Sequence, residues 1–142
     1  MKPVNTVKVT FPSKSANEAF ARSVAASFAA QADPAADEIA ELKTAVSEAV
    51  TNCIVHAYKD CIGKITMTVS LYEDDTIAVT VADTGVGIPD IKKAMEPLYT
   101  TGGDERAGLG FAVMESFADK VRVRSKQGRG TSVTLMKQLG KK

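Results

Sequence analysis

Ile65, Met67, Val69 and Leu71 alternate with Thr66, Thr68 and Ser70; after Glu73-Asp74-Asp75 the alternation resumes, with Ile77, Val79 and Val81 set against Ala78 and Thr80. Successive side chains on a strand point to opposite faces, so a period of two around an acidic turn specifies an antiparallel hairpin with one buried face. A strand of the same kind opens the chain. Val7, Val9 and Phe11 face one way, Lys8 and Thr10 the other, and Pro12 stops it. Two more, Val121 to Ser125 and Thr131 to Met136, flank the turn Gln127-Gly128-Arg129-Gly130.

Helical patterns lie between these strands. Ser15-Ala16-Asn17-Glu18 has the form of a capping box, and the alanine-rich helix it opens runs to about Ala32, with Phe20, Val24 and Phe28 as its apolar face. Asp33-Pro34 ends it. Ile39, Leu42, Val46, Ala49, Val50, Cys53 and Ile54 recur at helical spacing and predict a core helix from about Asp37 to Tyr58. A third helix follows Gly110 and runs to about Ala118, showing Val113 and Phe117. The sum is an α/β fold in one domain, residues 1–142: a two-layer sandwich with a mixed, mostly antiparallel sheet covered on one face by about three helices.

Composition narrows the function. The 142 residues carry a net charge of +1, which leaves no electrostatic footprint for nucleic acid. No apolar run approaches the ~20 residues of a membrane span, and Met1 to Thr10 lacks a signal-peptide core, so the expected location is the cytoplasm. Cys53 and Cys61 make no disulfide framework or metal spacing, and read as reduced, half-buried thiols. His56, the one histidine, reads as a helix-end residue that packs or caps.

Three groups of residues carry chemistry. Glu48 and Asn52 are four apart and share a helix face with Glu41, away from the apolar stripe; a carboxylate and an amide oxygen so placed suit a base and a hard-metal ligand such as magnesium. Asp83-Thr84-Gly85-Val86-Gly87-Ile88-Pro89 follows a strand. Its glycines permit close backbone approach to a flat ligand, and Asp83 can accept from an exocyclic amine such as adenine's. Gly108-Leu109-Gly110-Phe111 stands at a helix start, where backbone amides bind phosphate. Pro97 to Ala107 reads as a mobile loop hinged at Gly102-Gly103.

The order of these groups matches the nucleotide site of the gyrase/Hsp90/histidine-kinase/MutL ATPase superfamily. Phe20-Ala21-Arg22, Ser47-Glu48-Ala49-Val50-Thr51-Asn52, Gly85-Val86-Gly87-Ile88-Pro89-Asp90, Pro97-Leu98-Tyr99-Thr100-Thr101 and Gly128-Arg129-Gly130-Thr131 resemble, more closely, the anti-sigma F factor family of spore-forming bacteria. The resemblance runs from about Phe11 to Leu135. It implies a histidine-kinase-type ATPase fold and a serine protein kinase that also traps a sporulation sigma factor. By the same resemblance, the kinase substrate is the anti-anti-sigma protein, ATP/ADP and magnesium are the cofactors, and the chain forms a homodimer. Glu48 would be the general base and Asn52 would hold magnesium on the ATP phosphates. Asp83 would bind the adenine amine beside Gly85, Gly87 and Thr131. Thr100, Thr101, Gly108 and Gly110 would line the phosphates, Arg106 would reach the γ-phosphate, and Arg22 would touch the protein partners. A related general-stress anti-sigma kinase, or a nucleotide-gated sigma trap without kinase activity, are the alternatives.

Overall fold

The computed structural model describes residues 2–57, 62–84, 106–126 and 130–140. Strand β1 spans Pro3–Pro12, helix α1 Ala16–Ala29 with a 3-10 turn at Ala30–Ala32, and helix α2 Ala36–Asn52 with a π-turn at Cys53–Ala57. Strands β2, Lys64–Tyr72, and β3, Thr76–Asp83, form the hairpin. Helix α3, Arg106–Phe117, precedes β4, Lys120–Lys126, and β5, Gly130–Gln138. The five strands make one sheet in the order β1-β2-β3-β5-β4. Every pairing is antiparallel, so the sheet is not mixed among the described residues.

The hairpin follows the alternation. Ile65, Met67, Val69, Ile77 and Val79 are wholly buried, while Thr66, Thr68 and Ser70 lie half-buried on the other face. Asp75 takes a positive φ of 64° at the turn, and Asp74 accepts a hydrogen bond from the Thr76 amide at 3.1 Å. The buried face packs on Leu42, Ala45, Val46, Ala49 and Val50 of α2, on Met114 of α3 and on α1 in one hydrophobic cluster. Burying a Leu, Ile, Val or Met side chain contributes roughly 1.5–3 kcal/mol, so this shared face is the main source of stability.

Helix α1 departs from expectation twice. Its buried residues are Ala21, Ala25 and Ala29, each with no exposed surface, whereas Phe20 is 52% exposed and Val24 and Phe28 are half-buried. The alanine stripe lies one residue further round the helix. Lacking bulk, it lets α1 sit close against α2, and the larger side chains turn outward with Val7 to line a shallow apolar groove. The capping box is also absent. Ser15 is itself in the helical region and makes no side-chain cap. The Glu18 carboxylate is engaged elsewhere, by Arg22 at 3.5 Å and by the Ser47 hydroxyl of α2. Asn17 ties the helix start instead, donating to the Pro12 carbonyl at 2.9 Å. At the head of α2 the Glu38 carboxylate accepts from the Ala35 amide at 2.9 Å and the Gly140 amide at 3.0 Å, joining the helix to the chain's end.

Candidate functional site

The site forms where the end of α2 meets the end of β3 and the start of β5. Glu48 and Asn52 stand one turn apart on α2, both half-buried. Asn52 is not a solvated surface amide: its Nδ2 is buried and has no hydrogen-bond partner among the described residues. A buried donor without an acceptor costs roughly 1–3 kcal/mol, so a group that accepts from it there is favoured. Glu41, on the same helix, is held at 3.5 Å by Lys137 of β5.

Immediately after Asn52 the helix widens into the π-turn, a local form found often at functional sites. Cys53, its first residue, is buried, and its thiol donates to Asp83 Oδ2 at 3.3 Å. Asp83, the last residue of β3, is 8% exposed. Its Oδ1 accepts from the Thr131 backbone N–H at 3.2 Å. The carboxylate is thus tied to both layers of the sandwich. Burial raises the Cys53 thiol pKa well above its ordinary value, and the Asp83 charge and hydrogen bond push it further the same way.

Gly130 completes this corner. Its φ is +107°, and a Cβ there would lie 2.2 Å from the Asp83 carbonyl oxygen and 2.8 Å from Thr84 Cα. Only glycine lets β5 start this close to the end of β3. Beside it, the Ser125 hydroxyl donates to the Gly130 carbonyl at 3.1 Å and lies 2.8 Å from the Thr131 hydroxyl.

The structure therefore brings Asp83, Cys53 and Thr131 together, with Asn52 one residue before Cys53 on α2 and Glu48 one turn further back. Helix α3 begins at Arg106 rather than after Gly110, so Arg106 and Ala107 belong to the helix and not to a loop. Gly108, its third residue, falls among the first-turn amides that have no partner within the helix; Gly110 lies one step inside the hydrogen-bonded ladder. Gly85, Gly87, Thr100 and Thr101, with most of the proposed loop, lie outside the described residues, as does Cys61. Arg22 is not part of this corner. It stands on α1 with a side chain 42% exposed, paired with Glu18. Sequence patterning marks Cys53 only as a core thiol and Gly130 only as part of a turn and of the stretch before Thr131. Both shape the Asp83 corner, and the signals were Cys53's place directly after Asn52 and Gly130's directly before Thr131.

Magnesium fits this donor set. No cluster of three His, Cys, Asp or Glu side chains able to hold a metal exists among the described residues. The buried Nδ2 donor without a partner among the described residues suits a phosphate oxygen, and the amide oxygen of the same side chain is a hard ligand of the kind magnesium takes beside waters and phosphates.

A two-layer sandwich with a buried acidic corner at the end of its central strands defines an ATPase-type domain, and residues 11–137 match the model of the histidine kinase-like ATPase domain family. Structural likeness agrees at the level of fold. The RsbU and RsbW domains of Rv1364c from Mycobacterium tuberculosis superpose with a TM-score of 0.70 at 21% identity, over 96% of this chain and 33% of that one. The histidine kinase domain of the Erythrobacter litoralis EL346 blue-light activated histidine kinase gives 0.59 at 22% identity, over 86% of this chain and 60% of that one. The anti-sigma F factor of Caldanaerobacter subterraneus subsp. tengcongensis is 53% identical over 138 residues, 96% of each chain. That of Geobacillus kaustophilus is 47% identical over 96% of this chain and 94% of its own. The chain belongs to the anti-sigma F factor family.

Proposed function

We propose that this chain, acting as one domain, binds and inhibits a sporulation sigma factor, and that it uses ATP to phosphorylate a serine of the anti-anti-sigma protein that opposes it. The observation that carries the reading is the corner itself. A buried carboxylate is held at both oxygens, one of them by Cys53, and the residue before Cys53 carries a buried amide whose donor lacks a partner among the described residues. A carboxylate there suits an exocyclic amine, and the amide suits a phosphate and its ion. Family membership supports a sigma factor and its antagonist as partners, and the cytoplasmic location and the homodimer are part of the same proposal.

In this reading Asp83 accepts from the adenine amine and Thr131 lies beside it. Asn52 orients the phosphates, and its amide oxygen would hold magnesium, which when bound neutralises phosphate charge. Glu48 takes the proton of the substrate serine as its oxygen attacks the γ-phosphorus. The bond to the β-phosphate oxygen breaks and ADP leaves. Arg106 supports the transferred group, and Gly85, Gly87, Thr100, Thr101, Gly108 and Gly110 complete the pocket. Phosphoryl transfer needs mostly positioning and charge neutralisation, which is what these groups offer. Arg22, on α1 and apart from the corner, serves as a contact for the protein partners. The test is incubation with γ-labelled ATP and candidate partner proteins encoded beside this gene. Label on a serine of one partner supports the reading. Sigma binding with no transfer to any of them would leave a nucleotide-gated trap instead.

A further inference from the structure

Two unlike groups are among those that hold the Asp83 carboxylate. The Thr131 amide belongs to the sheet, next to the paired residues Ala82 and Ser132, and its place is set by the β3–β5 register. The Cys53 thiol is a side chain from the helical layer, 30 residues away in sequence. Asn52 precedes Cys53 by one peptide bond. The end of α2 therefore reaches both halves of the proposed nucleotide site.

We infer that Cys53 is a positioning residue that fixes the direction in which Asp83 presents its carboxylate to the base, and thereby sets part of the preference for adenine. The inference rests on the reading of Asp83 as the adenine contact. The terminal torsion of an aspartate is broad, so a carboxylate held at one oxygen swings about that bond. A bond to the second oxygen narrows the swing. The amine of a bound base needs an acceptor near its own plane, because hydrogen bonds weaken steeply off line. A carboxylate accepts about four bonds, more than the thiol and the amide use. A thiol is a weak donor, so its hold biases the carboxylate without locking it.

The experiment compares ATP with purine riboside triphosphate, which carries hydrogen in place of the 6-amine. Both are titrated calorimetrically against the full chain and against Cys53→Ala, Cys53→Ser and Asp83→Asn. Loss of the thiol lowers the preference for ATP over the analogue roughly threefold to tenfold, the range of one ordinary net hydrogen bond. Affinity for the analogue stays at the parental value, and Cys53→Ser, which can still donate, restores the preference. A thiol that merely fills space would change both affinities together, or only the melting temperature; an unchanged ratio in Cys53→Ala overturns the inference. If Asp83→Asn also leaves the ratio unchanged, the adenine reading falls and the inference with it. A ratio that collapses in Asp83→Asn but holds in Cys53→Ala overturns the inference alone. Should the alanine variant fail to fold, Cys53→Val fills the volume without a donor, and the same outcomes apply.

Discussion

Replacing Gly130 by alanine is the sharpest test of how the acidic corner is built. The new Cβ would stand 2.2 Å from the Asp83 carbonyl oxygen, inside the 3.0 Å that Cβ atoms observe, so β3 and β5 must part by about 0.8 Å, the difference of those two values. The obstructing atom is backbone and cannot swing aside as a side chain would. The Thr131 bond to Asp83 is already 3.2 Å long, at the far end of the usual range for N–H···O, and the same parting breaks it. Alanine at φ +107° adds strain of order 1–3 kcal/mol. A hydrogen bond to a charged group adds roughly 1.5–3 kcal/mol. Together they remove roughly 2.5–6 kcal/mol from a fold whose total is typically about 5–15 kcal/mol. Thermal unfolding should fall by about 8 °C or more, at ~3 °C per kcal/mol for a chain of this size. ATP affinity should fall by roughly tenfold or more, since one charged hydrogen bond no longer fixes the carboxylate. Unfolding within a degree or two of the parent, with unchanged ATP affinity by calorimetry, would refute the argument that glycine is required for the approach.

Glu48→Gln should retain ATP and sigma binding while phosphoryl transfer to the partner drops by roughly 10²–10⁴-fold, the usual worth of a general base; single-turnover transfer of labelled phosphate measures it, and parental rates would remove Glu48 from that role. Arg22→Ala should weaken capture of both protein partners by roughly 1–2 kcal/mol with ATP affinity unchanged, in paired titrations. Normal binding of both partners would return Arg22 to the solvated surface. Stability at alkaline pH should depend on Cys53. Its folded pKa is raised, so its contribution is complete below the unfolded thiol value of about 8.5 and is lost as pH climbs toward the folded value. Urea titrations should therefore show the parent losing stability above about pH 9 relative to Cys53→Ala, and parallel curves would contradict the burial of the thiol.

The elements legible in the sequence are those whose pattern is local. Ile65 to Val81 wrote its own hairpin, because alternation and a turn are short-range facts. Helix α2 was legible because Leu42, Val46, Ala49 and Val50 share one helical face. The face of α1 was misread because hydrophobic spacing counts size as burial. At that contact small size mattered more, and Ala21, Ala25 and Ala29 let two helices approach where Phe20 would have held them apart. Ser15 failed as a cap because its partner Glu18 had competing ligands in Arg22 and Ser47, the latter 29 residues away. The site divides the same way. Asn52 and Asp83 were visible as residue types after a helix and a strand. The clamp on Asp83 joins residues 30 and 48 positions apart, and no local pattern states that β5 begins beside the end of β3. Nor does helical periodicity announce the π-turn that begins at Cys53.

The central claim is that the Asn52–Asp83 corner is an adenine nucleotide site. Calorimetric titration of the full chain with ATP, ADP and GTP, each with magnesium, tests it most directly. A site built on a buried acceptor rejects a base that offers no amine at that edge by a wide margin. ATP and ADP should bind, GTP should not, and Asp83→Asn should weaken ATP. Comparable affinities for ATP and GTP would contradict the claim.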